Sequence, residues 1–161
     1  MMILGLLLLG GCEAGTHSYP RGQTDAVMFG PAAMRIHPIF TRVKDWTGDG
    51  NHDGIEALIE LQDQFGDPTK ASGTLLFELY AFRPYNPDPR GSRIARWTGS
   101  LETLEQQRAQ WNRTSRTYSF RLEHDRINPR DSYVLSAQFD LTDGGRFFDQ
   151  IVLEAQSASA R

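Results

Sequence analysis

The chain predicts a mainly β fold: a single seven-stranded antiparallel β-sandwich, immunoglobulin-like or transthyretin-like, with one short helix. Three observations carry this. Apolar and polar residues alternate over long stretches, as where Tyr133, Leu135, Ala137, Phe139 and Leu141 interleave with Val134, Ser136, Gln138 and Asp140. Clusters of Gly, Pro, Asp and Asn separate the alternating runs. Only residues 101–111, rich in Glu, Gln and Ala, have the composition of a helix. A length of 161 residues suffices for one domain with a real core.

In order, the first strand is expected over 34–43, with Pro38 marking an edge or a bulge because it lacks an N–H. The second covers 54–63 and ends at the turn formed by 64–68. The third, 74–82, puts Leu75, Phe77, Leu79 and Ala81 on one face. Leu76, Tyr80 and Phe82 make the other face apolar too, so either both faces are buried or an aromatic strip is exposed. A Pro-rich loop over 84–91 leads to a fourth strand, 92–101, with Ala95, Trp97 and Leu101 in register. In the helix, Leu101, Leu104, Arg108 and Trp111 fall near one face, and Ser100 or Thr103 can cap it. It is expected to close one end of the domain. Tyr118, Phe120 and Leu122 mark the fifth strand and 133–141 the sixth. Asp143-Gly144-Gly145 is a hairpin turn into the seventh, 147–153.

The richest cluster of side-chain oxygens is Asp45-Trp46-Thr47-Gly48-Asp49-Gly50-Asn51-His52-Asp53-Gly54. Asp49, Asn51 and Asp53 stand at positions one, three and five of a calcium loop, Gly54 at six and Glu60 at twelve. Calcium is a hard cation that takes six to eight oxygens, which short Asp and Asn side chains can wrap. Three readings stand: a solvated turn between strands, a β-type calcium loop, and a helix–loop–helix. Residues 39–43 are β-branched and aromatic, and Ile55, Ala57, Ile59 and Leu61 alternate, so the flanks favour strands. If 55–62 is extended, Glu60 lies roughly 20 Å of chain beyond Gly54 and cannot fold back as a ligand.

Net charge −3 and pI near 5.8 argue against nucleic-acid binding, and the 15 Arg among 17 basic residues are scattered along the chain. None of the four histidines pairs at metal-ligand spacing. His52 lies inside the Asp/Asn loop and can add a nitrogen ligand for a softer metal. His124-Asp125 invites a base–orienter reading, but no nucleophile elbow, phosphate loop or dinucleotide fingerprint accompanies it. The expectation is a non-catalytic protein. Trp46, Trp97, Trp111, Tyr80, Phe82 and Tyr85 offer a stacking platform for sugar or a partner surface, although aromatics on strands chiefly fill cores.

Residues 1–9 are almost wholly apolar and are followed by Gly10-Gly11-Cys12. This run is too short to span a bilayer, which needs about 20 residues. It suits the apolar region of a signal peptide. Leu9-Gly10-Gly11-Cys12 resembles the lipobox of bacterial lipoproteins, although the start lacks Lys and Arg. That resemblance implies cleavage before Cys12, the only cysteine, and lipid attachment to it. Glu13 after the Cys, where Asp is associated with inner-membrane retention in Gram-negative lipoproteins, implies the outer membrane, facing the periplasm. Residues 13–31 then read as a flexible tether, 32–156 as the domain and 157–161 as a disordered tail.

A looser resemblance covers about residues 34–155. It rests on 53–56, 62–68, 73–75, Leu79-Tyr80, Ala95-Arg96-Trp97 and Arg116-Thr117-Tyr118, which look like uncharacterised lipoproteins of planctomycete-type bacteria. It implies a sandwich fold and no activity. The expected function is therefore a lipid-anchored envelope protein that binds protein or polymer, with the membrane held through Cys12. The alternatives are a calcium-binding module using Asp49, Asn51, Asp53 and Glu60, and a carbohydrate-binding module.

Overall fold

Period-two alternation gives each long strand one apolar face, and two antiparallel sheets bury those faces in a common core. The structure, a computed structural model, describes residues 28–125 and 127–155. Its strands are β1 (Ala33–Ile36), β2 (Arg42–Lys44), β3 (Gly54–Gln62), β4 (Gly73–Phe82) and β5 (Arg90–Ser100), then β6 (Trp111–Asn112), β7 (Thr117–Glu123), β8 (Tyr133–Leu141) and β9 (Arg146–Leu153). The helix α1 (Leu104–Gln110) precedes β6. One sheet has the order β1-β3-β7-β6, with β2 on β3 as well; the other runs β5-β4-β8-β9. The chain crosses between sheets three times, from β3 to β4, back from β5 through α1 to β6, and again from β7 to β8. Since β3 pairs with β7 and β4 with β8, the first and last of these crossings interlock the sheets.

The shared core takes Ile55, Ala57, Ile59 and Leu61 from β3 and Tyr118, Phe120 and Leu122 from β7. Leu75, Phe77 and Leu79 of β4 meet them from the other sheet, with Leu135, Ala137 and Phe139 of β8. The Phe77 and Phe120 rings make contact across the layers, with centroids 5.2 Å apart. Gly99 of β5 is required beneath them, because a Cβ there would stand 2.6 Å from Phe120 Cε1.

Nine strands among the described residues replace the seven expected, and both additions have local causes. The expected strand 34–43 divides at Pro38 into β1 and β2, which lie end to end along one edge of β3. His37 N–H donates to the Leu58 carbonyl at 2.8 Å, and Thr41 Oγ1 accepts from Leu58 N–H at 3.0 Å. The buried Thr41 hydroxyl thus satisfies β3 where the edge strand bulges away. The second addition is β6, carved from the expected helix. Thr103 caps α1 in a reciprocal box with Gln106, as one of the two candidates, but the helix ends at Gln110. Trp111 is extended, pairs with Tyr118, and packs its indole edge-on at 5.0 Å from that ring. The tertiary contact overrides the helical propensity.

The apolar helix face expected of Leu101, Leu104, Arg108 and Trp111 is not formed. Leu101 is buried ahead of the helix, Leu104 is 65% exposed, and no residue of α1 is buried. Hydrogen bonds hold the helix instead. Gln107 Nε2 donates to the carbonyls of Ala71 and Leu101, each at 2.6 Å, and its Oε1 accepts from the Tyr118 hydroxyl. On β4, Leu76, Tyr80 and Phe82 are half-buried on the outer face, and Tyr80 O–H donates to Glu78 at 2.7 Å.

Cys12, the leader 1–12, the tether up to residue 27 and the tail 157–161 lie outside the described residues. Phe29, assigned to the tether, rests on the domain: its carbonyl accepts from Thr69 Oγ1 at 2.8 Å.

Burial pushes the Tyr118 phenol up from 10.0 to about 12. The folded state therefore favours the neutral phenol, a preference intact below pH 10 and lost as pH rises towards 12. Tyr118→Phe leaves the Gln107 acceptor unmet and is expected to cost roughly 1–2 kcal/mol at neutral pH. It should also flatten the alkaline loss of stability above pH 10, read by chemical denaturation at stepped pH.

Candidate functional site

The Asp/Gly loop between β2 and β3 is organised by carboxylates accepting from its own backbone. Asp45 Oδ1 accepts from Gly48 N–H at 2.5 Å, and its Oδ2 accepts from Gly50 N–H at 2.9 Å. Asp53 Oδ2 accepts from the N–H groups of Trp46 and Thr47, at 2.6 and 2.9 Å. Asp49 Oδ1 accepts from Asn51 N–H at 2.8 Å. Gly48 and Gly50 have φ of +75° and +88°, a backbone region open chiefly to glycine. The N–H groups of Gly50 and Gly48 are the leading causes that hold the Asp45 carboxyl below its ordinary value. The Asp/Gly pattern is thus explained by loop closure.

The loop delivers Trp46 to the outer face of the five-stranded sheet. Its ring lies against Gly54, where an added Cβ would stand 2.9 Å from Trp46 Cζ3 and 2.2 Å from the Leu122 carbonyl. Arg121 reaches over the same ring, its Cζ 4.4 Å from the centroid. Here β3 and β7 present their polar alternates, with Glu56 opposite Arg121 and Gly54 opposite Glu123. Lys44 Nζ stands 3.3 Å from Glu56 Oε2, and Ser119 Oγ donates to Glu56 Oε1 at 3.4 Å. The result is an open depression of about 740 Å³ whose walls include Trp46, Asn51, His52, Asp53, Arg121 and Glu123. His124 and Asp125 complete its rim, and the His124 ring stands edge-on to Trp97, 6.3 Å away. Trp97 Nε1 donates to the Glu123 carbonyl at 2.9 Å, which ties the rim to the second sheet.

A second depression of about 320 Å³ lies farther along the same face, lined by Phe40, Arg42, Glu56, Leu58, Asn112 and Thr114. The two flank the cross-strand pair of Glu56 and Arg121. Together they form a track that mixes aromatic rings with charges of both signs.

Of the residues expected to ligate metal, Asn51 and Asp53 line the first depression, and Asp49 is exposed in the loop beside them. Glu60 is separated from them. It lies on strand β3 in register with Arg35, and its Oε1 accepts from Gln62 Nε2 at 3.0 Å. The helix that would return it to the loop is replaced by a strand, which keeps Glu60 on the sheet and away from the loop. No group of three or more His, Cys, Asp or Glu converges at metal-holding geometry among the described residues. Among the aromatics, Trp46 and Phe40 reach the track, whereas Trp111 packs on Tyr118 and Tyr85 is fully exposed in the Pro-rich loop. Arg121 and Glu56 are the residues that sequence reasoning passed over. Each occupies an ordinary polar position on a strand, and only the β3–β7 register brings them together.

Asp53→Ala strands two backbone N–H groups and is expected to lower stability by roughly 1–3 kcal/mol. The loss should be equal in calcium and in chelator by thermal unfolding; a calcium-dependent shift of the wild type that the variant abolishes would contradict this account of the loop.

No protein-family model, curated protein or solved structure matches the chain.

Proposed function

We propose that the chain is a non-catalytic, lipid-anchored protein of the cell envelope. Its two sheets act as a β-sandwich and bind a polymer along the outer face of the five-stranded sheet. The observation carrying this reading is the track running from Trp46 past Arg121 and Glu56 to Phe40. Its charges compensate, with Arg42, Lys44 and Arg121 set against Glu56, Glu123 and Asp53. Such a surface suits a polar ligand of low net charge with apolar faces, as a glycan has: hydroxyls meet the side chains and ring C–H groups meet the indole. This brings the carbohydrate-binding alternative inside the leading reading as its preferred ligand class. Anchoring rests on the lipobox-like start at Cys12, and Glu13 directly after it supports the outer membrane, facing the periplasm.

The test is binding to a neutral oligosaccharide array and co-sedimentation with isolated cell-wall sacculi. Trp46→Ala and Arg121→Ala should each weaken retention by roughly tenfold, the effect of a central interface residue. The exposed Phe40→Ala should weaken it without loss of fold. Arg93→Ala, on the other sheet, should leave it unchanged. Absence of retention on both supports, or retention indifferent to all three track variants, would refute the reading. Anchoring has its own readout: mass spectrometry of the mature N-terminus should find a lipid on Cys12, and Cys12→Ser should move the chain to the soluble fraction.

A further inference from the structure

Lys70, Arg108 and Arg113 surround Trp111 in a depression of about 740 Å³ that no carboxylate lines; Leu104 and Gln107 complete it. Lys70 Nζ lies 4.4 Å from the centre of the Trp111 ring. None of the described ion pairs involves these three cations. Asp63, in the loop that carries Lys70, is turned onto the N–H groups of Phe65 and Asp67. Glu105 stands one turn before Arg108 on α1, but the two are not among the described ion pairs. Three unneutralised cations beside one aromatic ring form a site for an anionic group.

Its place in the fold says which anion. Ala33 pairs with Gln62, and the Phe29 carbonyl accepts from Thr69, one residue before Lys70. The N-terminal residues 1–27 therefore join the domain at the end that carries this depression. Lys44, paired with Gly54, marks the opposite end of β3, next to the Trp46 loop. The N-terminal end also exposes Phe29, Phe65 and Leu104, at 56%, 62% and 65%. Apolar side chains beside cations suit the boundary between lipid headgroups and water.

We infer that this end is a membrane-contact surface, where Lys70, Arg108 and Arg113 take the phosphate groups of anionic phospholipids and Leu104 and Trp111 sit at the headgroup level. The orientation rests on the anchoring at Cys12 proposed above, whereas the three cations converge on Trp111 whichever way the domain is held. With this end against the bilayer, the Trp46 loop points away from it, towards the envelope polymer.

The test uses the full chain carrying Cys12→Ala, so that no lipid contributes, and compares phosphatidylglycerol-containing vesicles with pure phosphatidylcholine vesicles at low salt. The neutral vesicles subtract any contribution of the apolar N-terminus. Each basic residue near an anionic surface is worth roughly a fivefold change in partition. The preference for anionic vesicles should accordingly fall on the order of a hundredfold in Lys70→Gln/Arg108→Gln/Arg113→Gln. A triple variant with the same charge change elsewhere, Arg83→Gln/Arg96→Gln/Arg130→Gln, should keep most of it. Equal loss in both variants, or no loss in either, would overturn the proposal. So would displacement from vesicles by millimolar glycerol phosphate, which would make this a pocket for a soluble phosphate. The lipid on Cys12 is read separately by mass spectrometry, so failure of the anchor and failure of this surface are distinguishable.

Discussion

The contact on which the rest depends is the one between the sheets at Phe120, where its ring meets Phe77 and rides on Gly99. Burial of apolar area between two sheets is the main favourable term in such a domain. It fixes register as well, because slipping a strand by one residue would turn its whole apolar set outward. With Ile55, Ala57, Ile59 and Leu61 committed inward, β3 has no choice but to present Gly54, Glu56 and Leu58 on the other side. Core packing on one face dictates the chemistry available on the other.

The candidate site on that outer face is framed by the hydrogen-bonded loop before β3. Asp45 and Asp53 each gather two loop N–H groups, so the turn is held by hydrogen bonds between its own carboxylates and backbone. Charge-assisted bonds of this kind exceed neutral ones in strength. They set Trp46 over Gly54, and the glycine makes the close approach possible. Arg121 then covers the ring from the neighbouring strand. At the other end of the domain Gln107 plays a comparable part, joining α1 to the 71 and 101 carbonyls and to Tyr118. It holds the helix beside Trp111 without burying a helix residue.

Much of this was legible in the sequence, and the failures have physical reasons. Strand 133–141 stands as expected, and 54–63 and 74–82 shift by a single residue at one end, because alternation is unambiguous where one face is buried. Pro38 signalled the bulge, but the Thr41 hydroxyl that repairs β3 comes from tertiary geometry. Trp111 had helical neighbours and helical spacing, and the Tyr118 ring drew it into a strand. The calcium-loop spacing matched in full, yet it assumes a returning helix. The alternation of Ile55, Ala57, Ile59 and Leu61 decided against one and left Glu60 out on the sheet. In the site, Trp46 and Asp53 were in view from the start, whereas Glu56 and Arg121 needed the pairing of β3 with β7.

The central claim is that ligand meets the outer face of the five-stranded sheet. The most direct test is amide chemical-shift mapping of the isotope-labelled chain titrated with neutral cell-wall oligosaccharides. The account predicts shifts concentrated at Trp46, Asn51–Gly54, Asn112–Ser115 and Arg121–His124, saturating together. Shifts confined to β4, β5, β8 and β9, or none at ligand concentrations that saturate sacculus binding, would contradict it.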